Sequence, residues 1–195
     1  MANAASVDEL KHQRALTQAQ NGAYPQALHS LKLLAAKYPQ PNRYFYDYIS
    51  ILSWAEQHQK IVALSADLSL QQAPSYVLKA VAIAYRHQRD YQEAEKTYRI
   101  MSSRFPGLLD AKIGLGLVLI DQKQYNAARA VLFPLQITQP ENIELLHAIA
   151  YSHETQQQRI AALAIYQRIL HLKPSDRASQ RKKVLILNEI GASQL

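Results

Sequence analysis

The sequence predicts an all-α solenoid, a stack of antiparallel helix pairs. Three observations carry that expectation. Pro106, Pro140 and Pro174 are each 34 residues apart, and Pro39 lies 67 before Pro106, two periods less one residue. Small and apolar residues recur in the same register between those prolines. Only five glycines occur in 195 residues and prolines appear singly, which leaves little room for long coil. A period of that length marks stacked helical hairpins, each too small to bury its apolar faces alone.

Each repeat carries the register in its own way. In the first, residues 8–41, Ala15, Ala27, Leu31, Leu34 and Pro39 hold signature positions. Gly22 falls at the turn, and Pro25 sits where a helix tolerates a missing N–H. In the second, residues 42–74, Phe45, Tyr48, Ile49 and Leu52 follow the i, i+3, i+4, i+7 spacing of one helix face. Its second helix, about 60–70, fits poorly, and the residue missing from the period falls near Ala73-Pro74. The third, residues 75–108, matches at all eight signature positions: Leu78, Val81, Ala82, Tyr85, Ala94, Tyr98, Met101 and Pro106. The fourth, 109–142, keeps Leu115, Gly116, Leu119, Ala128, Leu132, Leu135 and Pro140, with Lys112 as a misfit. The fifth, 143–176, keeps Leu146, Ile149, Ala150, Ala162, Tyr166, Ile169 and Pro174, with His153 as its misfit. A half repeat, 177–195, reads as one further first helix with Val184 and Leu187 inward and Gly191 at the turn. An ending in mid-repeat gives the expectation of a fragment of a longer chain.

Small residues explain the register. Ala82, Gly116 and Ala150 on first helices, and Ala94, Ala128 and Ala162 on second helices, let two backbones approach, while larger side chains at helical spacing fill the gaps between pairs. Proline then ends the second helix because it cannot continue the hydrogen-bonded ladder. This is the spacing of the tetratricopeptide repeat. The expected architecture is a tetratricopeptide-repeat right-handed superhelix, five helical pairs plus a terminal helix, forming one domain over 1–195 with a concave groove.

Particular stretches resemble one family more closely. The run AVAIAYRHQRDYQEAEKTY (80–98), with NGAYPQALHSL (21–31), WAEQHQ (54–59) and KKVLILNEIGASQL (182–195), is similar to the N-terminal periplasmic repeat region of outer-membrane porins that export poly-β-1,6-N-acetyl-D-glucosamine, a biofilm polysaccharide. The resemblance implies a non-catalytic scaffold that recruits a periplasmic polysaccharide deacetylase, guides the polymer, or does both. It also implies a C-terminal outer-membrane β-barrel beyond Leu195 and a periplasmic location; without it, a cytoplasmic location would be expected. The start lacks the charged and apolar regions of a signal peptide, although Ala2-Asn3-Ala4 has the small-x-small form found around cleavage sites. The alternative is a generic repeat adaptor in pilus or cell-envelope assembly.

In this architecture the first helices line the groove, with repeat positions 2, 5, 9 and 12 pointing inward. That selects Arg43, Tyr46, Ser50, Ser53, Tyr76, Lys79, Arg86, Asp110, Glu144, His147, Tyr151 and Glu154. The tyrosines offer flat apolar faces with a polar tip to a peptide or a sugar ring; their other role would be packing between helices. Trp54 is read as packing. Position 9 runs Leu16, Ser50, Ile83, Leu117, Tyr151, with no asparagine, which argues against capture of chaperone C-terminal carboxylates.

Other chemistries find little support. Absence of cysteine removes disulfides, zinc-thiolate sites and thiol nucleophiles. His147 and His153 point to different sides of a helix and cannot share a metal. Gly114-Leu115-Gly116 lacks the rest of a dinucleotide fingerprint. No cofactor and no catalytic residue is expected. The net charge of +7 favours acidic partners. The cluster Arg177, Arg181, Lys182, Lys183 reads as a solvated helix face, and no nucleic acid is expected. No apolar run approaches the roughly 18 residues of a membrane-crossing helix.

Overall fold

The computed structural model describes residues 2–192, with only the helical backbone given for 2–6. Eleven α-helices and no strand occur among the described residues. They are α1 (Ala2–Gln20), α2 (Tyr24–Ala36), α3 (Arg43–Trp54), α4 (His58–Ser65), α5 (Ser75–His87), α6 (Tyr91–Arg104), α7 (Leu109–Asp121), α8 (Tyr125–Thr138), α9 (Ile143–Thr155), α10 (Arg159–Leu172) and α11 (Arg177–Ala192). The five pairs and terminal helix expected from the period are present.

One turn closes every pair. Gly22, Glu56, Arg89, Lys123 and Gln157 have left-handed φ values of 78°, 55°, 61°, 61° and 58°. After each, the next N–H bonds to a carbonyl five residues back: Ala23 to Gln18, Gln57 to Leu52, Asp90 to Tyr85, Gln124 to Leu119 and Gln158 to His153, at 2.8–3.0 Å. This six-residue closure satisfies carbonyls that a helix end leaves without partners and reverses the chain at once. Only the first of the five uses glycine, the residue for which this conformation is free of strain.

Three first helices, α3, α9 and α11, are started by side-chain caps. Asn42 Oδ1 accepts from Phe45 N–H (3.1 Å), Asn142 Oδ1 from Leu145 N–H (2.9 Å) and Asp176 Oδ1 from Ser179 N–H (2.9 Å). Such caps stabilise a helix by about 1 kcal/mol each.

The chain divides into two compact units, residues 1–106 and 107–195. In the first, α1–α6 bury Ala15, Ala27, Leu31, Ile49, Leu52, Leu78, Ala82, Ala94 and Met101, each at 2% exposure or less. Its weakly patterned second pair has a short α4, and Arg104 Nη1 holds the following turn by donating to the carbonyls of Leu70 (3.0 Å) and Ala73 (2.5 Å). In the second unit, Gly116 admits Leu132, and Leu146, Ala150, Ala162, Tyr166 and Ile169 form a cluster with Ile186 of α11.

Three side-chain expectations are corrected. Val184 and Leu187 do not turn inward; they are 58% and 44% exposed, and α11 buries Ser179 and Ile186 instead. Val184 stands one period after Ala150, a position that a pair's second helix covers, and no such helix follows α11 among the described residues. For the same reason Gly191 is not a turn: α11 runs through it to Ala192. Trp54 is not core packing, being 51% exposed at the end of α3.

Candidate functional site

In the first unit, α1, α3 and α5 share one polar face. Sequence separations near one period bring its groups together. Arg43 of α3 pairs with Glu9 of α1, donates to the Tyr44 hydroxyl at 2.9 Å, and lies over that ring with its guanidinium 4.7 Å from the centroid. Asp47 of α3 accepts from two neighbours at once. His12 of α1 lies 2.7 Å from one oxygen through Nε2, and the Tyr76 hydroxyl of α5 donates to the other at 3.1 Å.

His12 is buried, lies edge-on to Tyr44 at 5.0 Å, and has no hydrogen-bond partner on Nδ1, whose nearest carboxylate oxygen, on Glu9, is 3.9 Å away. Tyr76 is 42% exposed, so its ring is presented while its hydroxyl is anchored. Partial burial and the Asp47 carboxylate together push its pKa well above the usual tyrosine range. At the edge, Asp8 accepts from Lys37 Nζ (2.5 Å) and the Tyr38 hydroxyl (2.7 Å), which hold its pKa below the ordinary carboxylate value.

The remaining positions selected from the sequence in this unit sit around that core. Tyr46, Ser50 and Ser53 are half-buried along α3, and Lys79 and Arg86 are half-buried on α5 and engaged by neighbours. The face therefore offers two tyrosine surfaces and several cation stems over a framework whose acids are already engaged, Glu9 by Arg43 and Asp47 by His12 and Tyr76. Such a face suits docking of a polar, acid-bearing surface.

In the second unit the selected residues serve as locks between helices. The Tyr151 hydroxyl donates to Asp121 of α7 at 2.6 Å. His147 Nε2 lies 3.3 Å from Asp176, the α11 cap, and its ring is 6.1 Å from that of Tyr166. Both Glu154 oxygens are taken, one by the Tyr166 hydroxyl and one by Lys182 Nζ of α11, each at 2.5 Å. Asp110 is half-buried and Glu144 exposed.

His12 and Asp47 were missed by position rules. Their separation of 35, one period plus one, was the available signal. No group of three His, Asp or Glu side chains placed to hold a metal occurs among the described residues, and no described helix is long and apolar enough to cross a membrane.

Known proteins bear on this geometry in three ways. The tetratricopeptide-repeat family profile matches residues 85–150. The poly-β-1,6-N-acetyl-D-glucosamine export protein of Escherichia coli K12 is 29% identical over 125 residues, 64% of this chain but only 15% of that protein. A tetratricopeptide-repeat protein from Thermus thermophilus superposes with a TM-score of 0.70 at 16% identity, covering 92% of this chain and 98% of that one. YrrB, described as a repeat protein with an unusual peptide-binding site, gives 0.62 at 11% identity, covering 89% and 90%. Within each unit the chain has the fold of tetratricopeptide-repeat proteins.

Proposed function

We propose that these tetratricopeptide repeats form a non-catalytic scaffold in the export of poly-β-1,6-N-acetyl-D-glucosamine, docking a periplasmic polysaccharide deacetylase and guiding the polymer. In this reading the repeats work in the periplasm, joined to an outer-membrane β-barrel. The observation that carries it is the 29% identity to the E. coli export protein over 125 residues. The face of α1, α3 and α5 supports it physically: an anchored Tyr76 and cation stems above acids already engaged by their neighbours give a surface with less side-chain entropy to lose on docking.

Capture of the cognate deacetylase on the immobilised, folded chain tests the proposal. Retention is expected, with Tyr46→Ala weakening it by about tenfold, the effect of losing one aromatic anchor. No retention by a chain whose circular dichroism shows intact helices would refute it.

A further inference from the structure

A cavity of about 430 Å³ lies within the second unit between α8 and α9, away from the contacts just described. Its origin is legible in the repeat register. Tyr85 of α5 reaches back to α4, its hydroxyl 2.8 Å from Ser65 Oγ, and so bridges those helices. Two periods later the same position is His153, the misfit of its repeat. The shorter imidazole turns toward Gln158, with Nδ1 2.6 Å from Oε1, and leaves the space against α8 open.

The walls are chemically one-sided. Phe133 of α8 is 51% exposed, and the Arg129 guanidinium sits 5.9 Å from its ring centroid. Asn126 and Gln136 add carboxamides from α8, and Ser152 and Gln156 add a hydroxyl and a carboxamide from α9. No carboxylate lines the cavity. An aromatic plate, several amides and one fixed cation suit a neutral ligand with an apolar face and hydrogen-bonding edges. They disfavour an ammonium group, which would meet a guanidinium and find no counter-charge.

We propose that the α8/α9 cleft binds N-acetylated hexosamine units of a β-linked polysaccharide and rejects the de-N-acetylated, cationic units. One face of the pyranose would lie on Phe133, with the acetamido carbonyl accepting from Arg129 or a carboxamide. The choice of sugar rests on the export reading above; the discrimination against amines rests on the cleft alone. Acetylated stretches would thereby be held on the same chain that docks the deacetylase.

Calorimetric titration of the full chain with a β-1,6-linked N-acetylglucosamine oligomer, and with its de-N-acetylated counterpart, tests this. The acetylated oligomer should bind with amide NMR shifts on α8 and α9, and the amine form about tenfold more weakly or not at all. Phe133→Ala should weaken binding about tenfold. His153→Tyr, which puts at this position the tyrosine that bridges α4 and α5, should abolish binding without lowering the melting temperature or deacetylase capture. Equal binding of both oligomers, no binding of either, shifts elsewhere, indifference to His153→Tyr, or occupancy by an extended peptide in place of sugar would overturn it. Deacetylase capture without oligomer binding refutes the cleft alone; oligomer binding without capture refutes the docking proposal alone.

Discussion

A Cβ added at Gly116 would stand 2.5–2.9 Å from three side-chain carbons of Leu132, itself buried. Overpacking of this kind costs about 1–3 kcal/mol, while replacing a helical glycine by alanine returns about 1. Gly116→Ala should therefore destabilise by about 1 kcal/mol in urea denaturation, and Gly116→Ala with Leu132→Ala should lose less than the sum of the two changes. Glu154 makes the opposite case. Its selection as a groove residue was a matter of position, yet its two oxygens are occupied by Tyr166 and Lys182. Glu154→Ala leaves the buried Tyr166 hydroxyl without its acceptor and should cost about 1–3 kcal/mol, mostly recovered when Tyr166→Phe is added. The exposed Lys182 arm contributes little of this. Small residues such as Ala82 and Gly116 were legible because only packing explains them at that spacing. The engagement of Glu154 was not, since one position in a repeat does not state what the next repeat places opposite it.

The first helix of each pair ends where the chain adopts a left-handed turn, and that was legible only at Gly22. The other four turns use Glu56, Arg89, Lys123 and Gln157, whose side chains carry no signal for positive φ. They accept it because the neighbouring helices and the five-residue closures impose it. A non-glycine residue there carries strain of about 1–2 kcal/mol, partly offset by glycine's greater chain entropy when unfolded. Lys123→Gly should thus stabilise by up to about 1 kcal/mol and Gly22→Ala destabilise by about as much, read as shifts in melting temperature. The joint between α4 and α5 responds to pH. His58 stacks on His87 with ring centroids 4.0 Å apart and planes 13° from parallel. Burial first, and then His87, hold the His58 pKa below its ordinary value of 6.5, while Glu56 pulls weakly the other way. The unfolded chain then binds more protons than the folded one, so stability falls as pH drops through 6.5 toward the lower folded value. A melting temperature that declines as pH falls through 6.5, with a shallower decline in His58→Phe, is expected. Asp176 acts in a lower window. Its pKa is held below 3.8, chiefly by the Ser179 N–H, so its contribution persists above that value and disappears only as pH falls further.

At the scale of the whole molecule, the 34-residue period was enough to specify helix pairs, their number and their small-residue contacts, because each pair must bury its faces on the next. The half repeat was less legible. Its Val184 and Leu187 follow the inward register, but with no second helix over them among the described residues that register leaves them outside. The proposed docking face was legible as a set of helices and not as a set of contacts: the sequence placed Tyr76 and Arg43 on it, but not the His12–Asp47–Tyr76 connection, which spans three repeats, nor the Arg43–Glu9 pair. A partner of such a scaffold should meet first helices and leave second helices untouched. Hydrogen exchange of the chain, alone and with the cognate deacetylase at saturating concentration, reads this directly. Slowed exchange confined to α1, α3 and α5, the helices of the proposed face, is the expected outcome. Slowing on α2, α4, α6, α8 or α10, or no slowing anywhere, would contradict a scaffold that docks its partner through first helices.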